Sequence, residues 1–255
     1  MDPAISRVLR AAGFRHAFFT RHGGVSEGAW GSLNFAWSTG DREELVRENL
    51  ARGAAFLGVM PEHLFFLSQV HGAHTHVVSR DDRWDDVVLV EGDAMVSRDS
   101  RVACGVRIAD CVPILIGDVT TGATCAIHSG WRGTVLDVVG AGIAALRRVS
   151  PGASHLIAAV GPHISLEAFE VGPEVAGEIE RACAMPGAVD RDRFAKPHVS
   201  LRTIVDAQLR RAGVETVDHV EGCTFLEPDR FFSFRRDGRA SGRHLAAIVP
   251  RDNSL

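Results

Sequence analysis

The sequence predicts an α+β fold with a mixed central β-sheet core flanked by helices. Three observations carry this expectation. Residues 102–116 are apolar on both faces, as in a central strand or a strand pair. Strand-like runs follow one another directly, and helices recur irregularly, unlike the regular alternation of a βαβ protein. With 255 residues, 45% hydrophobic and 24% charged, the chain can bury a sizeable core. No repeat, low-complexity tract or linker divides it, so residues 1–255 are expected to form a single domain.

The strand-like runs are residues 17–20, 64–69, 75–79, 102–116, 123–128, 156–160, 214–220 and 245–249. Asp41-Arg42-Glu43-Glu44 reads as a capping box with Asp41 at the N-cap. Leu45, Val46, Leu50, Ala54 and Leu57 continue it as a helical stripe, and Gly58 fits the position just past the end. The acidic stretch 81–86, which includes Trp84, reads as a solvated loop. Thr134 and Asp137 suggest a second box, opening a helix whose apolar face is Val135, Val138, Val139, Ile143 and Leu146. Further helices are expected over 173–184 and 201–211, the last stopping at Gly213. Gly140-Ala141-Gly142-Ile143-Ala144-Ala145 spells a dinucleotide fingerprint, but it falls inside a helix already begun. Its glycines are expected to permit close helix packing.

Composition narrows the function classes. A net charge of −4 argues against general nucleic-acid binding. Nearly all basic side chains are arginine, Lys196 being the single lysine. No apolar run reaches membrane-spanning length; residues 102–117 come closest, interrupted by Arg107 and Asp110. Five cysteines show no disulfide-like framework, and residues 1–13 hold no continuous apolar segment, so a cytoplasmic location is expected.

Chemistry concentrates in three segments: Gln69-Val70-His71-Gly72, Ala109-Asp110-Cys111-Val112-Pro113 and His128-Ser129-Gly130-Trp131-Arg132-Gly133. Each offers one good metal ligand. Two imidazoles and a thiolate suit zinc, and three protein ligands leave a coordination position open for chemistry. The wide spacing equally allows a buried thiol and two satisfied histidines. If residues 71–76 are extended, alternation sends His74 and His76 to the face opposite His71. Pro113 should interrupt a strand ladder and free the backbone to turn the Cys111 thiolate inward. Cys104, Cys125, Cys183 and Cys223 read as small buried hydrophobes. The glycine-rich turn before a helix suggests an anion site with Arg132 as a fork, or a plain tight turn. Arg21 and the Arg235-Arg236 pair are further anion candidates, and Asp93 and Asp110 either orient a ligand imidazole or move a proton.

These segments, with Phe19-Thr20-Arg21-His22-Gly23-Gly24-Val25-Ser26, Ser32-Leu33-Asn34, Asp93-Ala94, Gly161-Pro162, Phe231-Phe232-Ser233-Phe234-Arg235-Arg236-Asp237-Gly238 and Gly242-Arg243, resemble in order and spacing the YfiH-type, or laccase-domain, purine nucleoside phosphorylase family. The resemblance runs nearly end to end. It implies a single catalytic domain related in fold to cysteine hydrolases of the cytotoxic necrotizing factor type. It implies zinc on His71, Cys111 and His128, with Asp110 among the catalytic residues. Arg132, Arg21, Arg235, Arg236 and Asn34 are expected at the substrate and phosphate. The implied substrates are purine nucleosides (adenosine, inosine, methylthioadenosine) and phosphate, with adenosine deamination as a related activity. Two rival readings stand beside it. One is a copper-dependent polyphenol oxidase, to which His74-Thr75-His76 lends an H-x-H pair. The other is a cysteine hydrolase or amidase editing cell-wall precursors, with Cys111 as nucleophile and His71 or His128 as base. Phe169, Phe234 and His163 depart from the family pattern, and the chain contains no tyrosine.

Overall fold

The computed structural model describes residues 1–152 and 155–252. Its strands are β1 (Arg15–Phe18), β2 (Leu64–Phe65), β3 (Thr75–Val77), β4 (Ala94–Ser97), β5 (Ala103–Ile108), β6 (Val112–Asp118), β7 (Thr124–Ser129), β8 (Leu156–Val160), β9 (Val189–Asp190), β10 (His198–Val199), β11 (Thr216–His219) and β12 (His244–Val249). The helices are α1 (Arg7–Ala11), α2 (Glu43–Leu57), α3 (Trp84–Val87), α4 (Trp131–Val135), α5 (Val138–Val149), α6 (Pro173–Cys183), α7 (Leu201–Arg211) and α8 (Phe234–Asp237).

Two mixed sheets replace the single expected one. The first runs β1-β12-β5-β2 and the second β11-β8-β6-β7-β4-β3, with β9 and β10 forming a small ribbon. Side-chain alternation explains how they stack. Leu115, Ala126, Ile157 and Ala159 of the larger sheet pack with Phe65, Cys104, Val106 and Ile248 of the smaller one. Their neighbours Ile114, Ile116, Ile127 and Val160 face the other way, against Val139 and Ile143 of α5 and Ile204 and Val205 of α7. On the outer side of the smaller sheet, Ala103, Leu245 and Ala247 pack against Val46, Leu50 and Ala54 of α2. The order is therefore helix, sheet, sheet, helix.

The apolar run 102–116 is the hinge of this arrangement. It is a strand pair, but its halves belong to different sheets: β5 to the smaller and β6 to the larger. Ala109, Asp110 and Cys111 make the corner, and Asp110 turns it with φ 97°. Contrary to the expectation from its missing donor, Pro113 does not interrupt the ladder. It sits in β6 opposite His128, and its carbonyl accepts from Gly161 N at 2.9 Å.

Gly58 ends α2 in the left-handed region at φ 68°. Asp41 does not cap it: Ser26 Oγ (2.6 Å) and Asn34 Nδ2 (2.9 Å) occupy its carboxylate, and Arg42 takes the cap position. Thr134 lies inside α4, where its hydroxyl donates to Gly130 O; α5 starts separately, capped by Asp137. Gly142 lies within α5, and a Cβ there would meet Ile127 Cδ1 at 2.8 Å, so its absence permits close packing on β7. Trp84 is not in a solvated loop. It sits in α3, packs on Trp37 and Phe66, and donates from Nε1 to Leu64 O at 3.0 Å.

Leu115 is fully buried between the sheets. Leu115→Ala is expected to destabilise the fold by about 2–5 kcal/mol, and exposed Leu136→Ala by less than about 0.5 kcal/mol. Denaturant unfolding of both variants checks this.

Candidate active site

Two loop segments and one strand end converge beside the corner that joins the two sheets. Cys111 ends the corner before β6, His128 is the penultimate residue of β7, and His71 lies between β2 and β3. The register places β7 between β6 and β4, so His128 stands between Cys111 and Asp93, the residue before β4.

Asp93 organises the group. Its side chain is almost fully buried and accepts from His128 Nδ1 at 2.7 Å. It also accepts from the backbone N–H groups of Val70 (3.2 Å), His71 (3.0 Å) and Gly72 (2.6 Å). These bonds hold His71 at φ 60°, an uncommon conformation for a residue with a Cβ. Burial pushes the Asp93 carboxyl up, but His128 and the Gly72 and His71 amides outweigh it and hold it low.

The ligand atoms of His71, Cys111 and His128 lie within 4.8 Å of one another, and Cys111 Sγ is 3.8 Å from His71 Nε2. The two imidazoles meet edge-on, with centroids 4.9 Å apart. With Nδ1 of His128 engaged by Asp93, Nε2 is the nitrogen left for a metal, an arrangement common around bound zinc. A Cβ on Gly130 would come within 2.7 Å of the His71 ring and 3.0 Å of Cys111 Sγ, so only glycine leaves the trio room. The residues present therefore fit a metal ion that takes nitrogen and sulfur donors.

Charge supports the same fit. Burial opposes ionisation of Cys111, but the charge and hydrogen bonds of His128, followed by those of His71, bring its thiol down to about 6. Burial likewise opposes protonation of His128, yet the Cys111 and Asp93 charges raise it to about 9. Without metal, the pair is a thiolate facing an imidazolium. Cys104 and Cys125 are fully buried, with burial pushing both thiols up, whereas Cys183 and Cys223 are only half-buried.

The trio opens into a cavity of about 680 Å³. Arg132 and Arg235 line it, stacked over Trp131 (4.5 Å) and Phe169 (5.3 Å). Asp110 also lines it, but its oxygens accept from Thr224 Oγ1 (2.7 Å) and Arg235 N (2.6 Å). The other expected site residues lie outside the cavity lining. Arg21 donates to the carbonyls of Gly31 and Pro228. Arg236 donates to those of Thr224, Phe225 and Phe231 and pairs with Asp237. Asn34 is fully buried and bonds Ala36, Asp41 and Arg243 N. Each ties backbone segments together. His74 and His76 stand apart from the trio, but not through strand alternation, because β3 starts only at Thr75 and His71 is not extended.

Residue patterns left Gln69, Arg107, Arg243, Trp37 and Phe66 unassigned, yet all five line the cavity. For Arg107 the available signal was a charge inside an otherwise apolar strand. For Arg243 it was a place in the closing motif.

Comparison with known proteins extends over the whole chain. Residues 15–251 match the family model described as multi-copper polyphenol oxidoreductase laccase. A Streptomyces griseus protein named purine nucleoside phosphorylase ORF3 is 36% identical, over 95% of this chain and 97% of its own. The crystal structure of YlmD from Geobacillus stearothermophilus superposes with TM-score 0.84 at 30% identity, covering 94% of this chain and 93% of that one. Bacillus licheniformis YfiH shares the fold, with TM-score 0.87 at 24% identity over 98% and 97% of the two chains. The chain belongs to the YfiH-type family of laccase-domain proteins.

Proposed function

We propose that this chain is a zinc-dependent purine nucleoside phosphorylase acting on adenosine, inosine and S-methyl-5′-thioadenosine. Adenosine deamination is proposed as a second activity of the same site, and residues 1–255 as one cytoplasmic catalytic domain. The name carried by the Streptomyces griseus relative supports the phosphorylase reading. The observation that carries it is the cavity, where a metal-competent trio meets aromatic rings and arginines. Five cysteines without disulfide partners suit a reducing compartment.

In phosphorolysis a phosphate oxygen bonds to the anomeric carbon of the ribose as the carbon–nitrogen bond to the base breaks. Positive charge develops on the sugar, and an ordered anion beneath it stabilises that charge. Trp131, Phe169 and Phe234 offer faces and edges for the base, and Arg132 and Arg235 attract the anion at the rim. Asp93 fixes the His128 tautomer, and Asp110 holds the corner that presents Cys111. His71, Cys111 and His128 would hold the zinc, which supplies Lewis acidity beside the substrate when bound.

A second reading has an observation of its own. Cys111, His128 and Asp93 form a thiol–imidazole–carboxylate row suited to a cysteine hydrolase of the cytotoxic necrotizing factor type. The deciding experiment incubates purified protein with each nucleoside, with and without phosphate, and measures free base and sugar 1-phosphate. Phosphate-dependent release of both is expected; release of base without phosphate dependence would sink the reading.

Three results should follow. Mass spectrometry should find one zinc per chain, lost in Cys111→Ala and His71→Ala but kept in His74→Ala and His76→Ala; several coppers would favour an oxidase. Arg132→Ala should raise the KM for phosphate more than that for nucleoside, since its guanidinium faces the cavity. In metal-depleted protein, iodoacetamide should modify Cys111 fastest, because thiolate prevails above about 6. That rate should fall as pH drops through this value, while Cys104 and Cys125 stay unmodified at every pH tested.

A further inference from the structure

Arg107 and Arg243 lie deeper in the cavity than Arg132 and Arg235, and they belong to one face of the smaller sheet. Arg107 is on β5 opposite Leu245 of β12, and Arg243 immediately precedes β12. In an antiparallel pair these are diagonal neighbours on the same face, about 7–8 Å apart along the backbone. Both side chains are partly buried, whereas those of Arg132 and Arg235 are exposed.

Their direct hydrogen bonds go to neutral groups. Arg107 Nη2 donates to Leu67 O at 3.3 Å, and its guanidinium lies 4.3 Å from the Phe66 ring centroid. Arg243 Nη1 donates to the carbonyls of Ser241 (2.6 Å) and Gly242 (2.9 Å) and stacks on Phe234. These partners are neutral, and among the described residues neither arginine is in an ion pair. The acidic groups near Arg243 are Asp110 and Cys111, which favour its charge through space but form no ion pair with it, their hydrogen bonds going to Thr224, the Arg235 amide and the histidines. Burial first, and then the like charge of Arg243, depress Arg107 to about 10.

Two like charges held together in a partly desolvated wall favour an anion between them. The wall is also fixed in place. Gln69 donates from Nε2 to Arg107 O and accepts from Arg107 N, both at 2.7 Å, so the His71 loop and the Arg107 strand are clamped together. We propose that Arg107 and Arg243 together form the inner anion subsite of this cavity, the place where phosphate is gripped. Arg132 and Arg235 then serve as rim charges that attract the anion inward. The inference rests on the phosphorylase reading for the role of the anion, but not for its binding. A dianionic phosphate presents several acceptor oxygens to two planar forks, which lysine would not match.

Calorimetric titration with inorganic phosphate tests the subsite directly, in wild-type protein and in Arg107→Gln, Arg243→Gln and exposed Arg148→Gln. Each inner variant should weaken phosphate binding about 10- to 100-fold, the loss expected for a charge-assisted hydrogen bond, while Arg148→Gln binds as wild type. The KM for phosphate should rise in parallel, with that for nucleoside within about twofold of wild type. Arg107→Lys, which keeps the charge and is the safer variant for folding, should also lose most of the affinity because it lacks the fork. Unchanged phosphate affinity in Arg107→Lys and Arg243→Gln, or no phosphate binding by wild type, overturns the subsite. Phosphate binding that depends on both arginines, in a protein without phosphorolysis, upholds the subsite and overturns the nucleoside reading instead.

Discussion

The site depends on one buried carboxylate. Asp93 accepts from three consecutive backbone amides of the His71 loop and from the His128 ring. Hydrogen bonds to a charged group are worth about 1.5–3 kcal/mol each, and together they offset the penalty of burying the charge. The backbone of Asp93 joins in, since its carbonyl accepts from His128 N at 2.8 Å. One residue thus sets both the position and the tautomer of His128 and the conformation of His71. Removing its side-chain oxygens would leave several buried donors unpaired at once, more damaging than the loss of any single bond.

The second constraint is topological. A chain that passes from one sheet to another must bend, and β5 and β6 do so at Asp110. The corner brings the end of the smaller sheet, with Arg107, beside the end of the larger sheet, with His128. The His71, Cys111 and His128 trio and cationic side chains of the smaller sheet therefore meet in one cavity. The Gln69 clamp closes the gap between them, because a side-chain amide there imitates the backbone pairing that β2 gives up after Phe65. The packed interior behind the corner gives this seam its rigidity.

Much of this was legible in the sequence, though not always for the right reason. The convergence of His71, Cys111 and His128 was readable because each sits in a distinctive motif. His74 and His76 lie outside the trio because His71 is left-handed and β3 begins only at Thr75, not through strand alternation from His71. The division of residues 102–116 between two sheets was not legible, because apolar periodicity says that a strand is buried and not against which partner. The arginines show the same limit. Arg21, Arg235 and Arg236 occupy the same motif-rich segments and all donate to backbone carbonyls, yet of the three only Arg235 lines the cavity. Whether an arginine seals a loop or faces a cavity is decided by tertiary placement, and Arg107, which reads as an interruption of an apolar run, faces the cavity.

His71 separates the two chemistries that the site resembles. A thiol nucleophile activated by an imidazole and oriented by a carboxylate needs only Cys111, His128 and Asp93. In that arrangement His71 only assists, by favouring the Cys111 thiolate. Yet its backbone is held at φ 60°, a conformation that costs on the order of 1–3 kcal/mol for a residue with a side chain, by three amides bonded to Asp93. The result of that strain is to bring Nε2 within 3.8 Å of Cys111 Sγ. Gly130 is needed because any larger residue would strike both His71 and Cys111. Two separate features, a strained loop and an obligatory glycine, serve the same end of bringing a second imidazole to the thiolate. A cation would take a donor atom from each of the three, whereas a thiol nucleophile would gain from His71 only help in ionising.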